Sequence, residues 1–168
     1  VEVIGVATFK GCSSLESVKM SQGLKEIEFN AFKDCTKLSS LSFPASLEKF
    51  DAASLDGCIS MDTINLSLQN DSFRSENGAI FSADGTKLYY YPRTREGVYT
   101  IPDNVTEICS YAFSDCSKLK EVIIGEGVSS IGAWAFNRCT MLDNLTIPPN
   151  VFSILTNAFD GCTSLKSV

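Results

Sequence analysis

Apolar residues return along this chain at fixed positions of a 23-residue cycle. One clean cycle reads Ile101-Pro-Asp-Asn-Val105-Thr-Glu-Ile108-Cys-Ser-Tyr-Ala112-Phe113-Ser-Asp-Cys116-Ser-Lys-Leu119-Lys-Glu-Val122-Ile, and Ile124 opens the next. Cys12, Cys35 and Cys58 are spaced by 23, as are Cys116, Cys139 and Cys162. Each has apolar residues three before, three after and six after it, as Phe32, Leu38 and Leu41 flank Cys35. Leu38-x-x-Leu41-x-Phe43 ends in strict alternation, which predicts a half-buried strand. Pro44, Pro102 and Pro148 stop that strand and turn the chain. The next apolar pair, such as Val105 and Ile108, predicts a second, shorter extended stretch on an opposite wall. The Ala-Phe-x-x-Cys segment is too short for a stable α-helix and predicts a single helical or 3-10 turn.

A sustained period of 23 lies within the range of leucine-rich repeats, about 20–29 residues. It predicts an α/β repeat fold: a right-handed solenoid of about seven rungs, with a parallel β-sheet on the concave face and short 3-10 or helical turns opposite. The six cysteines then read as small buried apolar side chains, one per rung: Cys12, Cys35, Cys58, Cys116, Cys139 and Cys162. The total of seven is odd, there is no CxxC pair and there is no histidine, so neither a disulfide framework nor a zinc site is indicated.

The cycle breaks once. From Leu66 to Ile101 the chain takes 35 residues, a cycle of 23 plus 12. Asp84-Gly85 between Ala79-Ile80-Phe81 and Leu88-Tyr89-Tyr90-Tyr91 predicts a β-hairpin. One rung is read here as replaced by that hairpin, in register with the stack, followed by a polar loop over 93–97. The whole of 1–168 then forms one domain: regular repeats over 1–66, the irregular repeat over 67–100 and regular repeats over 101–168. The chain starts and stops inside a repeat, as a piece of a longer chain would.

Charge narrows the function. A formal net charge of −6 is wrong for nucleic acid, which needs a basic stripe. Without histidine the usual general base is missing, and no Gly-rich phosphate loop is present, so no catalytic residue, cofactor or metal site is assigned. Contact chemistry concentrates in the irregular repeat, where Tyr89, Tyr91, Arg93, Arg95 and Tyr99 cluster. Three consecutive tyrosines in a strand must send at least one ring outward, and exposed Tyr beside Arg suits a protein contact. The strand positions between core columns form a second candidate face: Ser40, Thr63, Asn65, Glu121, Ile123 and Asn144.

The consensus Ile-Pro-x-x-Val-x-x-Ile-x-x-x-Ala-Phe-x-x-Cys-x-x-Leu-x-x-Val resembles the BspA-type leucine-rich repeat, a bacterial class of 23-residue repeats. The segment from Phe73 through Phe81 to Tyr90-Tyr91-Pro92 also resembles an element that such proteins carry between repeats. The resemblance implies an extracellular or cell-surface protein without catalytic residues. It implies a recognition module of adhesion type, binding a host protein, matrix or glycan partner; the acidic charge speaks against nucleic acid, and no apolar run approaches the ~18 residues that membrane insertion needs. The alternative is a structural spacer that displays other domains, or a segment that self-associates end to end.

Overall fold

A computed structural model describes residues 1–167; Val168, the last member of its apolar column, lies outside the described residues. In chain order the strands are β1 (Val3–Ile4), β2 (Glu26–Ile27), β3 (Ser40–Phe43), β4 (Lys49–Phe50), β5 (Thr63–Leu66), β6 (Phe73–Glu76), β7 (Ala79–Ser82), β8 (Lys87–Tyr90), β9 (Gly97–Thr100), β10 (Glu107–Ile108), β11 (Leu119–Ile123), β12 (Ser130–Ile131), β13 (Asn144–Thr146) and β14 (Ser153–Ile154). Each cycle supplies one strand to a main wall, a two-residue strand to a second wall, and the Ala-Phe turn to a third. Strands on the first two walls pair in parallel at the 23-residue offset, as Leu41 with Ile64 and Ile108 with Ile131. The chain is a β-solenoid of leucine-rich-repeat type, with the period read from the sequence.

The third wall is a backbone ladder. Tyr111, Phe113 and Asp115 donate their N–H groups to the carbonyls of Ala133, Ala135 and Asn137 in the next rung, at 3.1, 2.7 and 2.8 Å. The same three bonds join Trp134, Phe136 and Arg138 to Thr156, Ala158 and Asp160. Aiming all three N–H groups along the stack requires a left-handed residue at each end of the turn. Asn30 and Asp34, Tyr111 and Asp115, and Trp134 and Arg138 all have φ between 58 and 66°. Each such non-glycine position costs on the order of 1 kcal/mol, which the inter-rung bonds offset. The weak copy of the turn, Ala52–Leu55, is a 3-10 turn capped by the Asp51 carboxylate, which accepts from Ala53 N.

Phe side chains of this wall stack face to face down the core. Phe113 and Phe136 lie 4.8 Å apart at 6°, and Phe136 and Phe159 5.3 Å apart at 13°. Beside them the cysteine column adds its own ladder. The thiols of Cys35, Cys58, Cys139 and Cys162 point to the carbonyls of Phe9, Phe32, Phe113 and Phe136 one rung before, at 3.0–3.1 Å. The column is therefore apolar filling that also gives each of these carbonyls a second donor beside the backbone N–H of its own rung's cysteine.

The irregular repeat differs from its sequence reading in three respects. The hairpin β7–β8 forms around Asp84-Gly85, but β6 adds an antiparallel third strand, so the insertion is a meander. The rung itself is stretched and survives. β8 pairs in parallel with β10, Tyr91 N bonds to Ala112 O, and β9 pairs in parallel with β11. Part of the segment read as a polar loop, from Gly97 on, is strand. β7 is buried on both faces and divides the core. Ala79 and Phe81 pack with the C-terminal rungs, whereas Ile80 packs with the N-terminal ones. Leu88 and Tyr90 of β8 divide the same way. The main wall is split accordingly into β3–β5 and β9–β11–β13, and the second wall into β1–β2–β4 and a six-stranded sheet running from β6 to β14.

At this seam the third-wall ladder has no regular rung after Leu55, and side chains take over its bonds. Gly57 N donates to the Asp115 carboxylate at 2.9 Å. Arg138 bridges Asp115 and Asp56, its Nε to Asp115 and its Nη2 to Asp56 both at 2.6 Å, and Lys33 adds a 2.6 Å bond to Asp56. Both carboxylate side chains are about 4% exposed. Burial alone would raise the Asp56 carboxyl, but the Lys33 and Arg138 bonds outweigh it and hold it below the usual range.

Two outcomes are expected. Phe113→Ala removes a ring stacked inside the longer half of the core and should cost about 3–5 kcal/mol in urea unfolding. Asp56 has a lowered folded-state pKa, so its contribution is complete above the unfolded carboxylate range, about pH 4. It is lost as pH falls through the folded value. The urea midpoint should drop between pH 7 and pH 3, and Asp56→Asn should lower the midpoint at pH 7 while shrinking that drop.

Candidate functional site

The step between the two halves of the second wall opens a cleft of about 560 Å³. Its floor comes from β2 and β4 through Ile27 and Phe50. Phe73 of β6 and Tyr89 of β8 close one side, packed edge to face at 5.4 Å. Cys109 and Ser110, just after β10, close the end. On the other side Phe29 stands 45% exposed in the loop after β2. Strand alternation explains the pattern. Ile27 and Phe50 turn into the core, and their neighbours Glu26, Glu28, Lys49 and Asp51 turn outward into the cleft.

The cleft is therefore aromatic and acidic together. Glu26, Glu28, Glu48 and Asp51 line it against one ammonium, Lys49. Lys49 lies 3.6 Å from Glu26. Glu28 is fixed by accepting Val6 N at 2.9 Å, and Asp51 by its turn cap. Burial raises the Tyr89 hydroxyl above its ordinary value. Burial also pushes the Cys109 thiol up to about 12, so it is protonated at neutral pH. The backbone at Cys109–Ser110 is pressed by the next rung, where Gly132 leaves no room for a side chain: a Cβ there would lie 2.4 Å from Ser110 N.

The residues singled out in the irregular repeat are not brought together. Tyr89 is the ring that turns outward, into the cleft. Tyr91 is 6% exposed and takes a place in the Phe stack, 5.1 Å from Phe113. Tyr99 packs half-buried on Tyr91 at 4.3 Å. Arg93 is 2% exposed, which removes it from the surface. The physical reason is the cysteine ladder: Leu55 O occupies the place of a Phe carbonyl, the cycle after it has no cysteine, and Arg93 Nη2 donates to it at 3.2 Å instead. The guanidinium lies over the Tyr90 ring at 5.6 Å, and its Nε and Nη1 have no hydrogen-bond partner among the described residues. Arg95 is exposed, beside the Gly78 turn and away from Tyr89.

The strand-face candidates fall on two separate sheets. Ser40, Thr63 and Asn65 lie on β3–β5, with Ser40 opposite Thr63. Glu121, Ile123 and Asn144 lie on β9–β11–β13, with Glu121 opposite Asn144. Ile123 at 48% and Val98 at 57% exposure give the second face an apolar spot. Sequence reasoning missed Glu28, Phe29, Glu48 and Asp51. A signal existed: Glu28 and Asp51 are consecutive carboxylates in a column that holds Gly5, Cys109 and Gly132 elsewhere.

A family model for the BspA type leucine rich repeat region matches the chain in six copies, over residues 1–84 and 85–168. The chain belongs to the BspA-type leucine-rich repeat family. Among solved structures, this repeat domain is similar to a leucine rich cell surface protein of Faecalibacterium prausnitzii A2-165. The identity is 24%, the TM-score is 0.77, and the match covers 99% of this chain and 50% of that one. A leucine-rich repeat protein from Eubacterium ventriosum matches at 22% identity and a TM-score of 0.78, over 98% of this chain and 56% of that one. The pneumococcal vaccine antigen PcpA matches at 23% identity and a TM-score of 0.67, over 91% and 50%. At these identities the likeness is one of fold. The chain spans about half the length of these structural neighbours. No curated protein matches it closely enough to serve as a relative. Among the described residues no helix is long and apolar enough to cross a membrane.

The thiols give this description a chemical check. Cys12 is exposed, whereas Cys35, Cys58, Cys109, Cys116 and Cys139 are buried, with Cys58 and Cys116 pushed up to about 12 by burial. An aromatic disulfide reagent should label Cys12 rapidly in the native protein. It should reach those five only after denaturation.

Proposed function

We propose that this BspA-type repeat domain is a non-enzymatic recognition module of a bacterial surface or secreted protein. Its partner is a host or neighbouring-cell protein, matrix or glycan component, held at the seam cleft. The observation that carries this reading is the interruption of an otherwise regular stack. The meander opens an aromatic-walled cleft where the regular rungs leave a closed wall and brings Tyr89 to it, while Phe29 reaches it from the loop after β2. Ring-bearing concave sites are where binding energy concentrates. The family match and the cell-surface protein among the structural neighbours support a location outside the cell.

Deleting the hairpin would not isolate the cleft, because β7 is buried on both faces and its loss would open the core. The better test is an array of extracellular matrix proteins and glycans probed with the wild-type chain and with Phe29→Ala/Tyr89→Ala. At least one array component should retain the wild type and lose most of its signal with the double variant, with the urea midpoint of the variant near wild type. Binding unchanged by the double variant would move the contact to the strand faces. No binding at all would favour a spacer that displays other domains.

A further inference from the structure

The cleft has a more specific chemistry than a generic contact surface, and this inference rests on the reading that it is the contact site. Its walls are ring faces and its rim is carboxylate. Phe29 is 45% exposed and Tyr89 is half-buried, and both line the cleft together with buried Phe50. Glu48 and Glu28 line the cleft as well, and Lys49 lies beside Glu26 at 3.6 Å. At the third-wall seam the buried carboxylates Asp56 and Asp115 are neutralised by Lys33 and Arg138. In the cleft four carboxylates stand against one base, and the volume of about 560 Å³ is open to solvent.

We infer that the cleft receives arginine side chains from an extended, basic segment of a protein partner. A guanidinium is the one common group that uses both features at once. It stacks on an aromatic face and makes paired bonds to a carboxylate with the same planar fork. The molecule already shows the stacking half of this arrangement inside its core, where Arg93 lies over Tyr90. Lysine satisfies the charge and not the planar stacking. A nucleic acid or an anionic membrane is repelled by the same rim.

The experiment is fluorescence anisotropy at low salt with the 168-residue chain and labelled peptides of equal length, alternating Ser with Arg, with Lys or with Glu. Free spermidine and free arginine serve as competitors. The Arg peptide should bind saturably at one site per chain, more tightly than the Lys peptide, and the Glu peptide should not bind. Glu28→Gln/Glu48→Gln removes two charges and should weaken the Arg peptide by about tenfold, as expected for two partly screened pairs. Tyr89→Ala should erase most of the preference for Arg over Lys. Glu16→Gln/Glu126→Gln makes the same change in charge at exposed positions outside the cleft and should leave binding unchanged. Equal weakening by both double variants would reduce the effect to overall charge and overturn the inference. So would equal affinity for Arg and Lys peptides, or displacement by spermidine at concentrations matching the peptide. An array partner whose binding survives Glu28→Gln/Glu48→Gln but not Phe29→Ala/Tyr89→Ala would sink the arginine assignment and leave the cleft as the contact site.

Discussion

Every rung of this solenoid must hand its outward-pointing backbone N–H groups to carbonyls of the next. A buried amide without a partner costs on the order of 1–3 kcal/mol, and each regular turn on the third wall points three of them along the axis. That constraint selects the left-handed residues at both ends of the turn and the small residue before Phe, and the cysteine thiol adds a second donor to the Phe carbonyl one rung before. It also explains why the column tolerates Asp34, Asp115 and Arg138 where Gly11, Gly57 and Gly161 sit in other rungs. The backbone conformation is fixed, and the side chain is free to do other work.

The seam shows what happens when a rung cannot supply its half of the bonds. Asp115 provides a carboxylate where Gly57 would otherwise meet a backbone carbonyl, and Arg93 donates where a thiol would. These substitutes carry charge, so Arg138, Asp56 and Lys33 are drawn in to balance them. The same insertion leaves the second wall stepped. Structure and candidate function are therefore two sides of one event. The charges that repair the third wall face inward, and the rings and carboxylates exposed on the second wall face out.

Much of this was legible in the sequence because periodicity reports burial directly. The column of Ile27, Phe50, Ile108 and Ile131, the Ala-Phe pairs and the cysteine spacing fixed architecture and register. Asp84-Gly85 marked the hairpin because only a few residues accept that turn. What escaped was direction. Alternation says that one of Tyr89, Tyr90 and Tyr91 faces out, but β7 and β8 pack between two half-cores, so Tyr90 and Tyr91 are both buried. Arg93 read as a surface contact because charge normally implies solvent. Its burial follows from a vacancy in the thiol ladder that lies 38 residues away in sequence, at Leu55. The cleft residues escaped because they sit in a loop column whose members vary.

The partition made by β7 bears on how the molecule responds to change. Ile80 and Phe81 are joined by one peptide bond, yet they belong to different packed interiors. A void opened beside Phe32 and one opened beside Phe136 share no packing neighbour across that strand, so their costs add with little coupling. The inserted segment thus works as a bulkhead. Each half of the stack can drift in sequence and repack within its own compartment, while the strand between them keeps the disturbance from crossing.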